Sequence, residues 1–335
     1  MLALSRPLKQ PRSLIASATL LGATLAGLPA ARADSGSLTR TPVTYRVTDP
    51  VARSAEHEIH GFRIDPPCAA ASVVLLQHGL SYSAEAWDFL PEHGYSYART
   101  LAEAGYAVVA IDRLGYGASP LDNGYAATVA AHADIAHQIV QELRGEFEHV
   151  AIGGHSAGAE VSELEAGLFN DVDAVIAMGY HQFPSTQFFA DFITGDIPRA
   201  LHGDYEYFLG TPSRRAAMFY TTAAEPWIVA ADTAAALPTP SGEILTLTLQ
   251  PSRVLAPFVR VPVFLQLADG DRLFPSAYAA LAAKSFVSSP SVTLDVVPRA
   301  GHTYMLHRSG PAAGERIADW LRGRPETPSC EPASL

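Results

Sequence analysis

The sequence predicts an α/β domain, a mostly parallel sheet flanked by helices, and three observations carry that expectation. Short, wholly apolar runs recur along the chain, as strands buried on both faces require. Segments of helical periodicity alternate with those runs. Around residues 149–160 a strand, a sharp glycine turn and a helix start follow one another without a gap. With 335 residues, 48% hydrophobic and 17% charged, the chain can bury a sizeable core, and general disorder is excluded.

The first 33 residues are set aside as a signal peptide. Arg6, Lys9 and Arg12 form a basic start, residues 14–28 an apolar core, and Ala31-Arg32-Ala33 an A-x-A cleavage signal. Cleavage is expected after Ala33, giving a secreted (extracellular or periplasmic) protein. No twin-arginine pair precedes the apolar core, and no later segment is long and apolar enough to span a bilayer, so stable membrane insertion is not expected. Four basic and no acidic residues fall in 1–33. The remainder carries 19 basic and 34 acidic residues, a formal charge of −15, which argues against nucleic acid and anionic membranes as partners. Two cysteines, Cys68 and Cys330, read as one disulfide in an oxidising compartment.

Residues 41–49 and 58–64 alternate apolar and polar side chains and predict an antiparallel opening to the sheet. Residues 72–77 predict a buried parallel strand ending in His78-Gly79-Leu80. A short helix over 97–104 stops at Gly105, and residues 106–111 form the next buried strand. The turn Asp112-Arg113-Leu114-Gly115-Tyr116-Gly117-Ala118-Ser119 follows. Residues 126–143 predict a long amphipathic helix on which His132 and His137 are solvated. Residues 150–153 then lead into Gly154-His155-Ser156-Ala157-Gly158, and Val161, Leu164 and Leu168 mark the helix behind it. Residues 174–178 form another strand.

From 182 to 256 the alternation breaks. Aromatics (Phe183, Phe188, Phe192, Tyr207, Phe219 and Trp227 among them) and prolines predict an inserted cap over one face. The organisation expected is therefore a core over 34–181, the cap or lid over 182–256, a second part of the core over 257–324 and a tail over 325–335 that is loose except where Cys330 pins it. Strands at 261–267 and 292–297 resume the sheet, with a helix over 275–283 between them and an amphipathic helix around Ile317, Trp320 and Leu321 after them.

Gly154, Ser156 and Gly158 make G-x-S-x-G. Between a strand and a helix this pattern describes a turn that holds a serine hydroxyl clear of the sheet edge. A serine hydroxyl needs a base, and the base needs a group that fixes its tautomer. His302, directly after the last strand and Gly301, is the candidate base. Asp271, after the 261–267 strand, is the candidate acid, with Asp269 as the alternative. The oxyanion donors expected are the backbone N–H groups of Ala157 and Leu80. His155 reads as packed, His78 as ordering its own turn, and Asp112 as a turn residue. No metal site and no cofactor site suggests itself: H-E-x-x-H and a P-loop are absent, and the two cysteines stand at opposite ends.

These residues together resemble the α/β-hydrolase superfamily of serine esterases and lipases, over about residues 73–321. His78-Gly79, the 112–119 turn, the 154–158 elbow, Asp271 ahead of Pro275, and Gly301-His302 carry the resemblance. Similar proteins often place Gly three residues before the acid, where this chain has Ala268. The string Leu76-Gln77-His78-Gly79-Leu80 is similar to one in acid lipases. The resemblance implies a cofactor-free hydrolase acting on a small-molecule ester through an acyl-enzyme, with the aromatic cap pointing to apolar or aromatic substrates. Lactone, amide or C–C bond hydrolysis and perhydrolysis use the same fold. A non-catalytic binding protein on the fold would have no need of all three side chains. Oligomeric state is not encoded in any of these signals.

Overall fold

A computed structural model describes residues 38–330 except residue 54. The signal peptide and its cleavage site at Ala33 lie outside the described residues, as do the last five residues of the tail. Eight strands form one sheet: β1 (Arg40–Thr48), β2 (Glu56–Ile64), β3 (Ser72–Gln77), β4 (Ala107–Ile111), β5 (His149–His155), β6 (Ala174–Met178), β7 (Val263–Ala268) and β8 (Val292–Val297). Their order is β1-β2-β4-β3-β5-β6-β7-β8. The β1–β2 and β2–β4 pairings are antiparallel, and the rest are parallel.

The parallel strands are apolar throughout because helices cover both faces. Successive side chains of β3 show this. Val74 and Leu76 join one core with Ala98 and Leu101 of α1 (Tyr97–Glu103) and Ile317 and Leu321 of the last helix (Gly310–Arg322). Val73 and Leu75 join the other, with Ile139 and Leu143 of α2 (Val129–Arg144) and Val161 and Leu164 of α3 (Ala157–Phe169). Thr128 starts α2 by accepting the Ala131 N–H on its hydroxyl at 3.0 Å. Truncating Ile152, fully buried in mid-sheet, to Ala would cost about 2–5 kcal/mol.

Two sequence expectations are corrected, for His132 and for the tail. His132 is 2% exposed rather than solvated, because it faces Glu243 at 3.6 Å. Glu243 also takes ion-pair and hydrogen-bond partners from Arg113 and Tyr116 of the 112–119 turn. On α3, Leu168 is half exposed, while Glu160, Glu163 and Glu165 are fully buried. The tail is packed as far as Cys330. Ser72 donates to the Pro328 carbonyl at 2.6 Å and Tyr106 to that of Thr327 at 3.1 Å. Cys330 is disulfide-bonded to Cys68, 262 residues away, with Cα atoms 5.9 Å apart. Gly105, at φ +98°, lets the tail pass: a Cβ there would stand 2.4 Å from the Cys330 carbonyl oxygen.

Between β6 and β7 the chain leaves the sheet. It forms short helices, including Thr186–Asp191, Pro212–Phe219, Pro226–Ala234 and Ser241–Leu247, and a two-stranded ribbon of Tyr205–Glu206 with Thr239–Pro240. This segment packs its aromatics against the loops at the carboxyl ends of the strands, where Leu80, Ala157, Phe219 and Phe274 share one cluster. Among the described residues no helix is long and apolar enough to cross a membrane.

Candidate active site

The site begins at the junction of β5 and α3. Ser156 sits there with φ 56° and ψ −122°, outside the regions open to an ordinary side chain. The surrounding glycines make that turn possible. A Cβ on Gly158 would lie 2.3 Å from the Gln77 carbonyl oxygen, and one on Gly154 would lie 2.1 Å from that of Gly158. Helix α3 therefore starts hard against the end of β3, and Ser156 stands at its positive end.

Two further loops converge on this turn. His302 follows β8, and its Nε2 lies 2.9 Å from the Ser156 hydroxyl oxygen. Asp271 follows β7, and its Oδ2 lies 2.8 Å from His302 Nδ1. The second Asp271 oxygen accepts the backbone N–H groups of Leu273 at 2.7 Å and Phe274 at 3.0 Å, which fixes the carboxylate's plane. A carboxylate on Nδ1 holds the proton there and leaves the Nε2 lone pair facing the serine. The Asp271 and His302 side chains are fully buried, and Ser156 is 9% exposed. Asp269 takes no part in this chain. It is exposed and accepts the Ala300 N–H at 3.2 Å.

Leu80 and Ala157 are both buried beside the turn. Among the described residues neither N–H meets a protein acceptor. Gly79 brings the Leu80 loop close: a Cβ on it would stand 3.0 Å from the Ser156 Cβ. His78 holds that loop by accepting the Arg113 N–H on Nε2 at 3.1 Å. Asp112 accepts the N–H groups of Ala84 and Ala118, both at 2.7 Å, as a turn residue does.

Sequence reasoning missed how the histidine loop is held. His155 donates from Nε2 to the His302 backbone carbonyl at 2.9 Å. Burial pushes its imidazole down to about 3, so the ring is neutral and its Nε2 proton stays in place. Gly179, at φ +60°, leaves room for that ring, which a Cβ would meet at 3.0 Å. From the inserted segment, the Phe219 carbonyl accepts the Thr303 N–H at 3.2 Å, and the Phe219 ring lies 5.0 Å from that of His302. The Tyr82 hydroxyl and Thr303 Oγ1 are 2.9 Å apart. Arg215 is buried over the rings of Tyr82 and Phe219, pairs with Asp232 at 2.5 Å and donates to Ser81 at 3.1 Å. A cavity of about 270 Å³ opens beside it, walled by Ser81, Tyr207, Phe208, Pro212, Ala234 and Ala236. Apart from the pairs Arg215 makes with Phe219 and Asp232 and the approach of Gly179 to His155, these contacts join residues 83–221 positions apart, which no local spacing signals.

A family model described as "Alpha/beta hydrolase family" matches residues 73–319. No curated protein sequence matches the chain. Among solved structures, a thermophilic esterase from Thermogutta terrifontis is similar at 20% identity, covering 84% of this chain and 98% of that one, with a TM-score of 0.65. A monoacylglycerol lipase from Paleococcus ferrophilus is similar at 19% identity over 78% and 98% of the two chains, TM-score 0.61. An enol-lactonase from Burkholderia xenovorans is similar at 16% identity over 79% and 96%, TM-score 0.60. At such identities the likeness speaks for the fold alone.

Proposed function

Since the chain belongs to the alpha/beta hydrolase family, we propose that it is an exported serine hydrolase that cleaves carboxylic esters through an acyl-enzyme. One observation carries the reading: a single imidazole is within hydrogen-bond reach of both the Ser156 hydroxyl and the Asp271 carboxylate.

In this mechanism His302 Nε2 takes the Ser156 proton as Oγ attacks the ester carbonyl. Asp271 stabilises the imidazolium that forms. The tetrahedral oxyanion is held by the N–H groups of Ala157 and Leu80, and the helix dipole behind Ser156 acts in the same direction. His302 then gives its proton to the leaving alcohol. Water, activated by the same imidazole, attacks the acyl-enzyme and releases the acid and the free serine. No cofactor is needed for any of these steps.

Residues 182–256 act as the cap. The cavity beside Ser81, next in sequence to Leu80, mixes Tyr207, Phe208, Pro212, Ala234 and Ala236 with Thr211, Thr233 and Arg215, and its apolar members support an apolar or aromatic substrate of small to medium size. The Cys68–Cys330 bond supports export to an oxidising compartment. The test has two arms on the purified protein. A fluorophosphonate probe should label the wild type and spare Ser156→Ala. A panel of p-nitrophenyl esters, lactones and triglycerides should show turnover of the esters. Label that survives Ser156→Ala would overturn the nucleophile, and a labelled protein that turned over only lactones would overturn the ester reading.

A further inference from the structure

Away from the elbow, three side chains from three segments converge. His137 lies on α2, Glu165 on α3, and Asp171 in the loop between α3 and β6. One nitrogen or oxygen ligand atom from each lies within 4.8 Å of the other two. Glu165 is nine residues beyond Ser156 along α3, roughly 13 Å at helical rise.

Glu165 is the unusual member. It is fully buried, and neither carboxylate oxygen meets a hydrogen-bond donor. Its polar neighbour is a second carboxylate, Asp171, whose Oδ1 is also buried and without a donor. Asp171 Oδ2 lies 2.7 Å from His137 Nδ1 and accepts from Gln141 at 2.5 Å. The nearest fixed positive charge, Arg144, is engaged elsewhere. It donates to the Asp171 backbone carbonyl and pairs with Asp173 at 2.7 Å. The Phe169 ring stacks on His137 at 3.8 Å and limits how the imidazole can turn. Two facing carboxyl groups, three oxygens without donors and a held imidazole are completed by a proton or by a metal cation.

We propose that His137, Glu165 and Asp171 bind one divalent cation of the zinc class. A nitrogen donor with carboxylate oxygens suits zinc, whereas calcium and magnesium take all-oxygen sets. The cation fastens α2 to the α3–β6 loop, and its distance from Ser156 makes it structural.

The experiment uses the exported chain, stripped with EDTA and titrated with zinc chloride, calcium chloride or magnesium chloride. Calorimetry and thermal unfolding are read together. Wild type should take up one equivalent of zinc and melt at a higher temperature with it. Glu165→Gln, which keeps the shape and removes the charge, should bind zinc at least tenfold more weakly and lose the zinc-dependent shift. His137→Gln should do the same. Fluorophosphonate labelling of Ser156 should be equal with and without zinc, so this test stands apart from that of the hydrolase reading. Absence of saturable zinc binding, unchanged binding in both variants, or a preference for calcium would overturn the site and leave a shared proton between the two carboxyls.

Discussion

The Nδ1 atom of His302 meets Asp271, and not Asp269 two residues earlier, at 2.8 Å. The two carboxylates part ways. Asp269 is exposed and accepts the Ala300 N–H, while Asp271 is buried and reaches the imidazole that has the Phe219 and Phe274 rings as neighbours.

That divergence gives a sharp comparison. Asp271→Asn keeps the shape but loses the charge that holds the tautomer, and kcat on an ester should fall about 10⁴-fold. Asp269→Asn should stay within a few-fold of wild type. Steady-state rates on one p-nitrophenyl ester decide it, and equal losses would refute the assignment.

The backbone at Ser156 makes a second. A Cβ at φ 56° and ψ −122° is strained, and glycine relieves that strain. Ser156→Gly should therefore be more stable than Ser156→Ala by about 1 kcal/mol, and neither should be labelled by a fluorophosphonate. Denaturant midpoints of the two variants measure the difference; a less stable glycine variant would contradict the strain.

A third concerns pH. Burial pushes the Glu163 carboxyl up to about 8, from 4.5 in an unperturbed side chain, with Gln182 donating to it at 2.5 Å. Between those values the folded chain holds a proton that the unfolded chain releases. The stability this group contributes is thus complete below pH 4.5 and is lost as pH rises through about 8. From pH 5 to pH 8.5 wild type should lose roughly 1–3 kcal/mol more than Glu163→Gln does. Urea unfolding at both pH values tests this, and parallel losses would count against it.

The disulfide supplies a fourth. It closes a span of 262 residues, so removing it in Cys68→Ser/Cys330→Ser should destabilise the fold by about 2–5 kcal/mol. The packed tail, with Thr327 fully buried, should then exchange its backbone amides faster. Hydrogen exchange over residues 325–330 that matched wild type would show that packing alone holds the tail.

Much of this was legible in the chain. The runs at 72–77, 106–111 and 174–178 are too short and too apolar for anything but buried strands. G-x-S-x-G between a strand and a helix marks Ser156 as the elbow residue. What was not legible has a common cause. His132 looks solvated because its partner, Glu243, stands 111 residues later. Nothing local marks Glu160, Glu163 and Glu165 for burial, yet the chain folds over them: Ser252 and Gln182 lie beside the first two, and Asp171 beside the third.

The sequence by itself determined the alternation of strand and helix, the glycines that permit the turn at Ser156, and the identity of the groups brought to the strand ends. Local periodicity and local sterics act over a few residues, so they leave a readable pattern. Only the tertiary structure decided which aspartate faces the imidazole, how His155 and Phe219 hold its loop, and which carboxyls are buried without a donor. Those outcomes depend on the aim of single side chains across the meeting of distant segments, where a rotation at one turn exchanges Asp269 for Asp271 and no spacing along the chain records it.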